Sequence, residues 1–136
     1  LPQGVQPAME LEGRELHMVD KPRSGARIDA WKDAGVTDVS KIRQWFGDSA
    51  RFDFSAFDGS CGLVFVDGSH AYEYVVSDVR AAARILEPGG VLLVHDYGIW
   101  PGVTTALEEL SGGALAGIRC IDGTSLAYWR KPGAAQ

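Results

Sequence analysis

The sequence predicts an α/β fold, a mainly parallel sheet layered between helices and finished by an antiparallel hairpin. Three observations carry that expectation. Apolar strand candidates alternate with amphipathic helix candidates along the 136 residues. Two of the strands, Leu63 to Val66 and Val91 to Val94, are continuous apolar runs, as buried parallel strands are. Near the end, Asp122-Gly123 stands between two apolar runs, the signal of a two-residue hairpin turn.

The elements follow in order. Residues 1–13, with Pro2, Gly4, Pro7 and Gly13, read as an irregular lead-in. Glu15 to Asp20 is a short strand ending in an acid, and Pro22 and Gly25 break the chain after it. Arg27 to Ala34 has helical spacing, with Ile28 and Trp31 three apart and Gly35 as the stop. Ile42 to Phe46 alternates as a second strand. Arg51 to Ser60 reads as a loop or one short helical turn. After Leu63 to Val66, Ser69 is placed to cap a helix. Its apolar stripe is Val75, Val76, Val79, Ala82, Ala83 and Leu86, and Pro88-Gly89-Gly90 ends it. Val91 to Val94 runs into His95-Asp96. A further helix covers Val103 to Leu110, stopped by Gly112-Gly113. Ile118 to Ile121 and Thr124 to Trp129 form the hairpin, and residues 131–136 are a flexible tail.

Composition narrows the function. Hydrophobic residues are 46% and charged residues 23%, the balance of an ordinary globular domain. The net charge of -5 and the lack of a basic patch argue against binding nucleic acid by phosphate neutralisation. No apolar run approaches the roughly 20 residues that cross a bilayer, and no secretory signal opens the chain. Cys61 and Cys120 belong to no paired motif and read as reduced, buried or half-buried thiols of a cytoplasmic protein. A small-molecule partner suits all of this.

In open α/β sheets the ligand crevice lies outside the carboxyl ends of the strands. Asp20, Asp67 and Asp96, with His70 and His95, all fall at or just after predicted strand ends, and Asp48 joins them. Acids there cost desolvation energy unless they bind something. The competing account is that each caps a helix or fills a turn. Five polar groups on one edge favour a site. His17, inside a strand, reads as a satisfied sheet residue. Tyr97 and Trp100, beside Pro101-Gly102, wall a substrate pocket or simply pack.

Two segments then carry a resemblance: Leu63-Val64-Phe65-Val66-Asp67-Gly68-Ser69-His70-Ala71-Tyr72, and Leu86-Glu87-Pro88-Gly89-Gly90-Val91-Leu92-Leu93-Val94-His95-Asp96-Tyr97. Together they resemble the class I S-adenosylmethionine-dependent methyltransferases. The similarity is greatest to the branch of macrolide-sugar O-methyltransferases and cephalosporin hydroxylase-like proteins. It runs from about Arg14 to Arg130 and implies a three-layer Rossmann-like sheet over residues 14–130. By that resemblance Asp20 holds the cofactor ribose, and Asp48-Ser49 lie near the adenine. Asp67 and Asp96 hold a magnesium ion, a metal that prefers oxygen ligands. His95 stands where a relative carries a carboxylate, so it joins the metal set. Its imidazole suits zinc, iron or nickel better than magnesium. His70 matches the general base. The implied reaction is methylation of a hydroxyl on a small molecule such as a natural-product sugar. The metal polarises that hydroxyl and His70 removes its proton.

One family feature is missing. The first twenty residues hold only Gly4 and Gly13, so the glycine-rich loop and the first strand before it are not legible. Three explanations rank in this order: the chain is a fragment, a partner chain supplies the strand, or the protein is a degenerate non-catalytic relative. A sheet without that strand exposes edges that invite pairing with another copy as a homo-oligomer. The alternative function is therefore a binding or assembly module on a methyltransferase-like scaffold. A nucleotide- or NAD-binding domain ranks lower, since the G-x-G-x-x-G turn is absent too.

Overall fold

A computed structural model describes residues 16–20, 31–35 and 37–133 of the chain. The expected lead-in, the start of the first helix and the last three tail residues lie outside the described residues. The chain divides into two compact units, Leu1–Phe52 and Asp53–Gln136.

In the first unit, β1 (Leu16–Asp20) and β2 (Ile42–Phe46) pair in parallel, from Leu16 opposite Ile42 to Asp20 opposite Phe46. Both expected strands form. Residues 31–33 are helical, and Gly35 takes a left-handed φ of 93° as the turn that ends them. Trp31 and Ile42 are buried. The His17 Nδ1 accepts the Trp45 indole N–H at 3.2 Å across the strand pair. This is the satisfied sheet histidine that its position suggested.

The second unit begins with a 3-10 turn at Ser55–Phe57. There follow β3 (Cys61–Val66), α1 (Tyr72–Ile85), β4 (Leu86–Val94), α2 (Pro101–Ser111), β5 (Arg119–Cys120) and β6 (Ala127–Arg130). The sheet order is β3-β4-β6-β5. β3 and β4 are parallel; β6 is antiparallel to both β4 and β5. The mixed sheet with a terminal antiparallel strand is the predicted one.

Strand alternation decides which side is core. Val64 and Val66 of β3, Leu92 and Val94 of β4, and Ala127 and Trp129 of β6 share a cluster with both helices. Those contribute Val75, Val79 and Ala82 from α1 and Val103, Ala106 and Leu107 from α2. Each fully buried aliphatic side chain stabilises by about 1.5–3 kcal/mol. The Trp129 indole N–H also donates to Ala116 O at 3.1 Å, so this large side chain is buried without an orphan donor. The other face of β3 differs from the expected strand buried on both sides: Leu63 and Phe65 are 60% and 46% exposed.

Four local expectations are corrected. Pro88-Gly89-Gly90 does not end the helix. α1 stops at Ile85, where Gly59 and Ser60 N–H groups take the carbonyls of Arg84 and Ile85. The Pro-Gly-Gly segment instead lies in β4, where the pairing register with β3 shifts between Cys61 and Leu63. A Cβ on Gly90 would stand 2.8 Å from Glu87 O and 2.9 Å from Leu86 Cδ2, so only glycine fits. Ser69 does not cap α1; its hydroxyl accepts the Ala71 N–H at 3.2 Å, one residue before the helix begins. The hairpin is longer than two residues. Ile121 and Thr124 close a turn with Gly123 at φ 76°, and the Ile121 N–H donates to Leu126 O. Cys120 is exposed rather than buried, while Cys61 is half-buried, and both are free thiols. Lys131 exchanges backbone bonds with Gly89 and Gly90, and its Nζ donates to Leu86 O at 2.7 Å.

Candidate active site

β3 and β4 end side by side, with Val66 opposite Val94 and the His95 N–H donating to Val66 O at 3.0 Å. Their carboxyl ends deliver Asp67 from one strand and His95-Asp96 from the other. The loop after Asp67 brings back His70. These four residues, all singled out from the sequence, converge on one cleft, with Val94 and Val103 among the apolar groups beneath them.

Asp96 is the hinge of the arrangement. It is the one non-glycine residue with positive φ among the described residues, at 69°. Its carboxylate is only 13% exposed. The two oxygens divide their work. Oδ2 accepts from His70 Nε2 at 2.7 Å, and Oδ1 lies 3.2 Å from His95 Nδ1. The same His95 Nδ1 lies 3.1 Å from Asp67 Oδ1. One donor atom from each of Asp67, His95 and Asp96 falls within 4.8 Å of the others. Two carboxylates and an imidazole at that separation fit a divalent cation, whose ligands sit about 2.0–2.6 Å from it. Against a carboxylate acceptor, His70 carries its proton on Nε2. Its Nδ1 is then the basic nitrogen, the orientation a carboxylate imposes on a histidine base.

Trp100, for which the sequence allows a pocket wall or simple packing, lies against His70. Its indole stacks on the His70 ring with centroids 4.4 Å apart and planes at 12°. Tyr97 instead packs against the core and reaches Glu108 at 3.4 Å. Burial, then Cys120 and Glu108, push its hydroxyl pKa above the ordinary 10.0. Gly102 was missed as a site residue. A Cβ there would stand 2.2 Å from His70 O and 3.0 Å from Tyr72 N, so α2 begins in close contact with the His70 loop. The available signal was Pro101-Gly102, with proline at the first helical position as helices favour.

The residues expected nearer a cofactor lie in the first unit. Asp20 is the last residue of β1, opposite Phe46. Asp48 follows β2 and is exposed, its Oδ1 accepting the Ala50 N–H at 3.0 Å in a turn. Ser49 beside it is half-buried. Among the described residues no helix is long and apolar enough to cross a membrane.

Comparison with known proteins bears on the fold and the family. Solved structures share the fold. The O-methyltransferase NovP matches at TM-score 0.63 and 18% identity, over 76% of this chain and 43% of its own. CalS11, a TDP-rhamnose 3'-O-methyltransferase of calicheamicin biosynthesis, matches at 0.61 and 19%, over 86% and 58%. PaMTH1 of Podospora anserina, a methyltransferase solved with SAH bound, matches at 0.63 and 14%, over 88% and 61%. The chain thus spans about half the length of these proteins. No curated protein sequence matches it. The sequence model of a methyltransferase domain matches residues 4–97. That is more than half of the chain, and the chain belongs to this methyltransferase-domain family.

Proposed function

We propose that this chain is an S-adenosylmethionine-dependent O-methyltransferase that acts on a small-molecule hydroxyl with the help of a divalent cation, with Mg2+ the first candidate. The observation that carries the reading is the meeting of Asp67, His95 and Asp96 within 4.8 Å, with His70 Nε2 bonded to Asp96 at 2.7 Å.

Asp67, His95 and Asp96 would hold the cation, which when bound lowers the pKa of a coordinated hydroxyl. His70 takes the hydroxyl proton on Nδ1. Asp96, bonded to Nε2, fixes the tautomer and stabilises the imidazolium that forms. The deprotonated acceptor oxygen would then take the methyl group of S-adenosylmethionine as its methyl–sulfur bond breaks and S-adenosylhomocysteine leaves. Positioning of the two reactants accounts for much of the rate. Asp20 suits the cofactor ribose, because a carboxylate at the carboxyl end of a parallel strand can accept two hydroxyl hydrogen bonds. Asp48 and Ser49 are the companions proposed for the adenine end. A natural-product sugar is the proposed acceptor class, by analogy with the fold neighbour that acts on TDP-rhamnose.

Calorimetry with S-adenosylmethionine tests the cofactor, and methyl transfer to TDP-rhamnose tests the reaction. Micromolar cofactor binding is expected. Asp96→Ala should abolish metal-stimulated transfer, and His70→Ala should slow transfer while leaving cofactor affinity intact. Absence of binding at millimolar cofactor would favour a non-catalytic binding or assembly module. Transfer by Asp96→Ala in the presence of EDTA would remove the cation from the mechanism.

A further inference from the structure

We infer that Trp100, braced by Gly102, is a positioning residue for His70; the inference rests on the proposed role of His70 as base. Three contacts close a circuit. The His70 Nε2 bonds to Asp96 Oδ2 at 2.7 Å. The His70 ring stacks on Trp100 at 4.4 Å and 12°. The Trp100 N–H returns to Asp96 O at 3.3 Å. A single hydrogen bond leaves an imidazole able to turn about its Cβ–Cγ bond, which carries Nε2 away from Asp96 and releases the tautomer. A flat partner against its face removes that freedom, because any swing opens the stack.

The backbone completes the brace. Thr104 fixes the same loop, donating its N–H to Trp100 O at 3.0 Å and accepting the Gly98 N–H on its hydroxyl at 2.9 Å. Gly102 lets the start of α2 press directly on His70 O and Tyr72 N. Pro101 at the first helical position sets the chain direction between the two contacts. Burial does not explain the indole, since Trp100 is 47% exposed. Its one ring partner among the described residues is His70.

The test is the tautomer of His70, read from imidazole 15N shifts at one fixed pH in the cofactor-free chain. The native chain and Trp100→Phe should show one tautomer, protonated on Nε2. Trp100→Ala should show a mixture of the two. Gly102→Ala, with its Cβ driven onto His70 O, should show a mixture although Trp100 is intact. Turnover of TDP-rhamnose is the second reading. Trp100→Ala should lower kcat about 10- to 100-fold at unchanged KM for S-adenosylmethionine, with Trp100→Phe recovering most of it. A single tautomer retained in Trp100→Ala overturns the inference, as does a mixture in the native chain. A lost tautomer preference with unchanged kcat overturns it too. A native chain with one tautomer and no turnover counts against the O-methyltransferase reading, while the 15N shifts still decide the brace.

Discussion

Replacing Asp96 by glycine and by alanine separates its backbone from its carboxylate. Both changes remove the bond to His70 Nε2. Hydrogen bonds to a charged group contribute about 1.5–3 kcal/mol, and the 39% exposure of His70 reduces that to about 1 kcal/mol here. The two variants differ in φ. At 69°, alanine meets the steric cost of the left-handed region, about 1–2 kcal/mol, and glycine does not. Glycine gives part of this back through its freer unfolded chain, about 0.5–1 kcal/mol. The net expectation is that Asp96→Gly is more stable than Asp96→Ala by about 1 kcal/mol, an inversion of the usual order. For a unit of this size that corresponds to about 4–8 °C in Tm. Thermal unfolding followed by circular dichroism measures it, and Mn2+ titration by electron paramagnetic resonance should show both variants equally weakened. Equal stability, or alanine above glycine, would mean that Asp96 does not hold the left-handed turn. Its carboxylate would then not be aimed at both histidines, and the site geometry would fail.

Other expectations follow from single contacts. Gly90→Ala should destabilise by about 1–3 kcal/mol in urea unfolding, because its Cβ meets Glu87 O at 2.8 Å; a neutral result would mean the β4 irregularity is absent. The Tyr97 hydroxyl titrates above 10.0 because burial, then Cys120 and Glu108, favour its neutral form. Its stabilising contribution is therefore complete below pH 10 and lost as pH rises through the folded value. Ultraviolet titration of the native chain should show late phenols, and Tyr97→Phe should remove one of them. Tyr72, raised chiefly by its bond to Glu109, should remain late in that variant.

Long periodic or uniformly apolar stretches were legible, and contacts made across the fold were not. Val75, Val79 and Ala82 on α1 and Val103, Ala106, Leu107 and Leu110 on α2 follow from helical spacing and are buried; Ile85 is buried as well, although it lies off the expected stripe. Asp67, His70, His95 and Asp96 were legible because strand ends in this fold class form the crevice. The end of α1 was misread because tertiary bonds from Gly59 and Ser60 replaced the glycine cap that local rules expect. The hairpin was misread because Asp-Gly also fits a four-residue turn with glycine third. Gly102 was invisible as a site residue because its constraint comes from His70, more than thirty positions earlier in the chain.

The last residues of β4 explain how a small core can aim a site. Leu92 and Val94 point to the helices and are buried, so the strand cannot rotate about its axis without exposing them. Alternation then sends His95 to the opposite face, where its ring lies 6.3 Å from that of Phe65. Continued alternation would return Asp96 to the helix side. A regular strand would thus hold His95 and Asp96 on opposite faces, too far apart to share a ligand. The left-handed turn at Asp96 breaks the alternation and swings Oδ1 to 3.2 Å from His95 Nδ1 while Oδ2 keeps His70. Strain at one residue is thereby converted into convergence of groups from both faces, and the buried Leu92 and Val94 hold that strain in place.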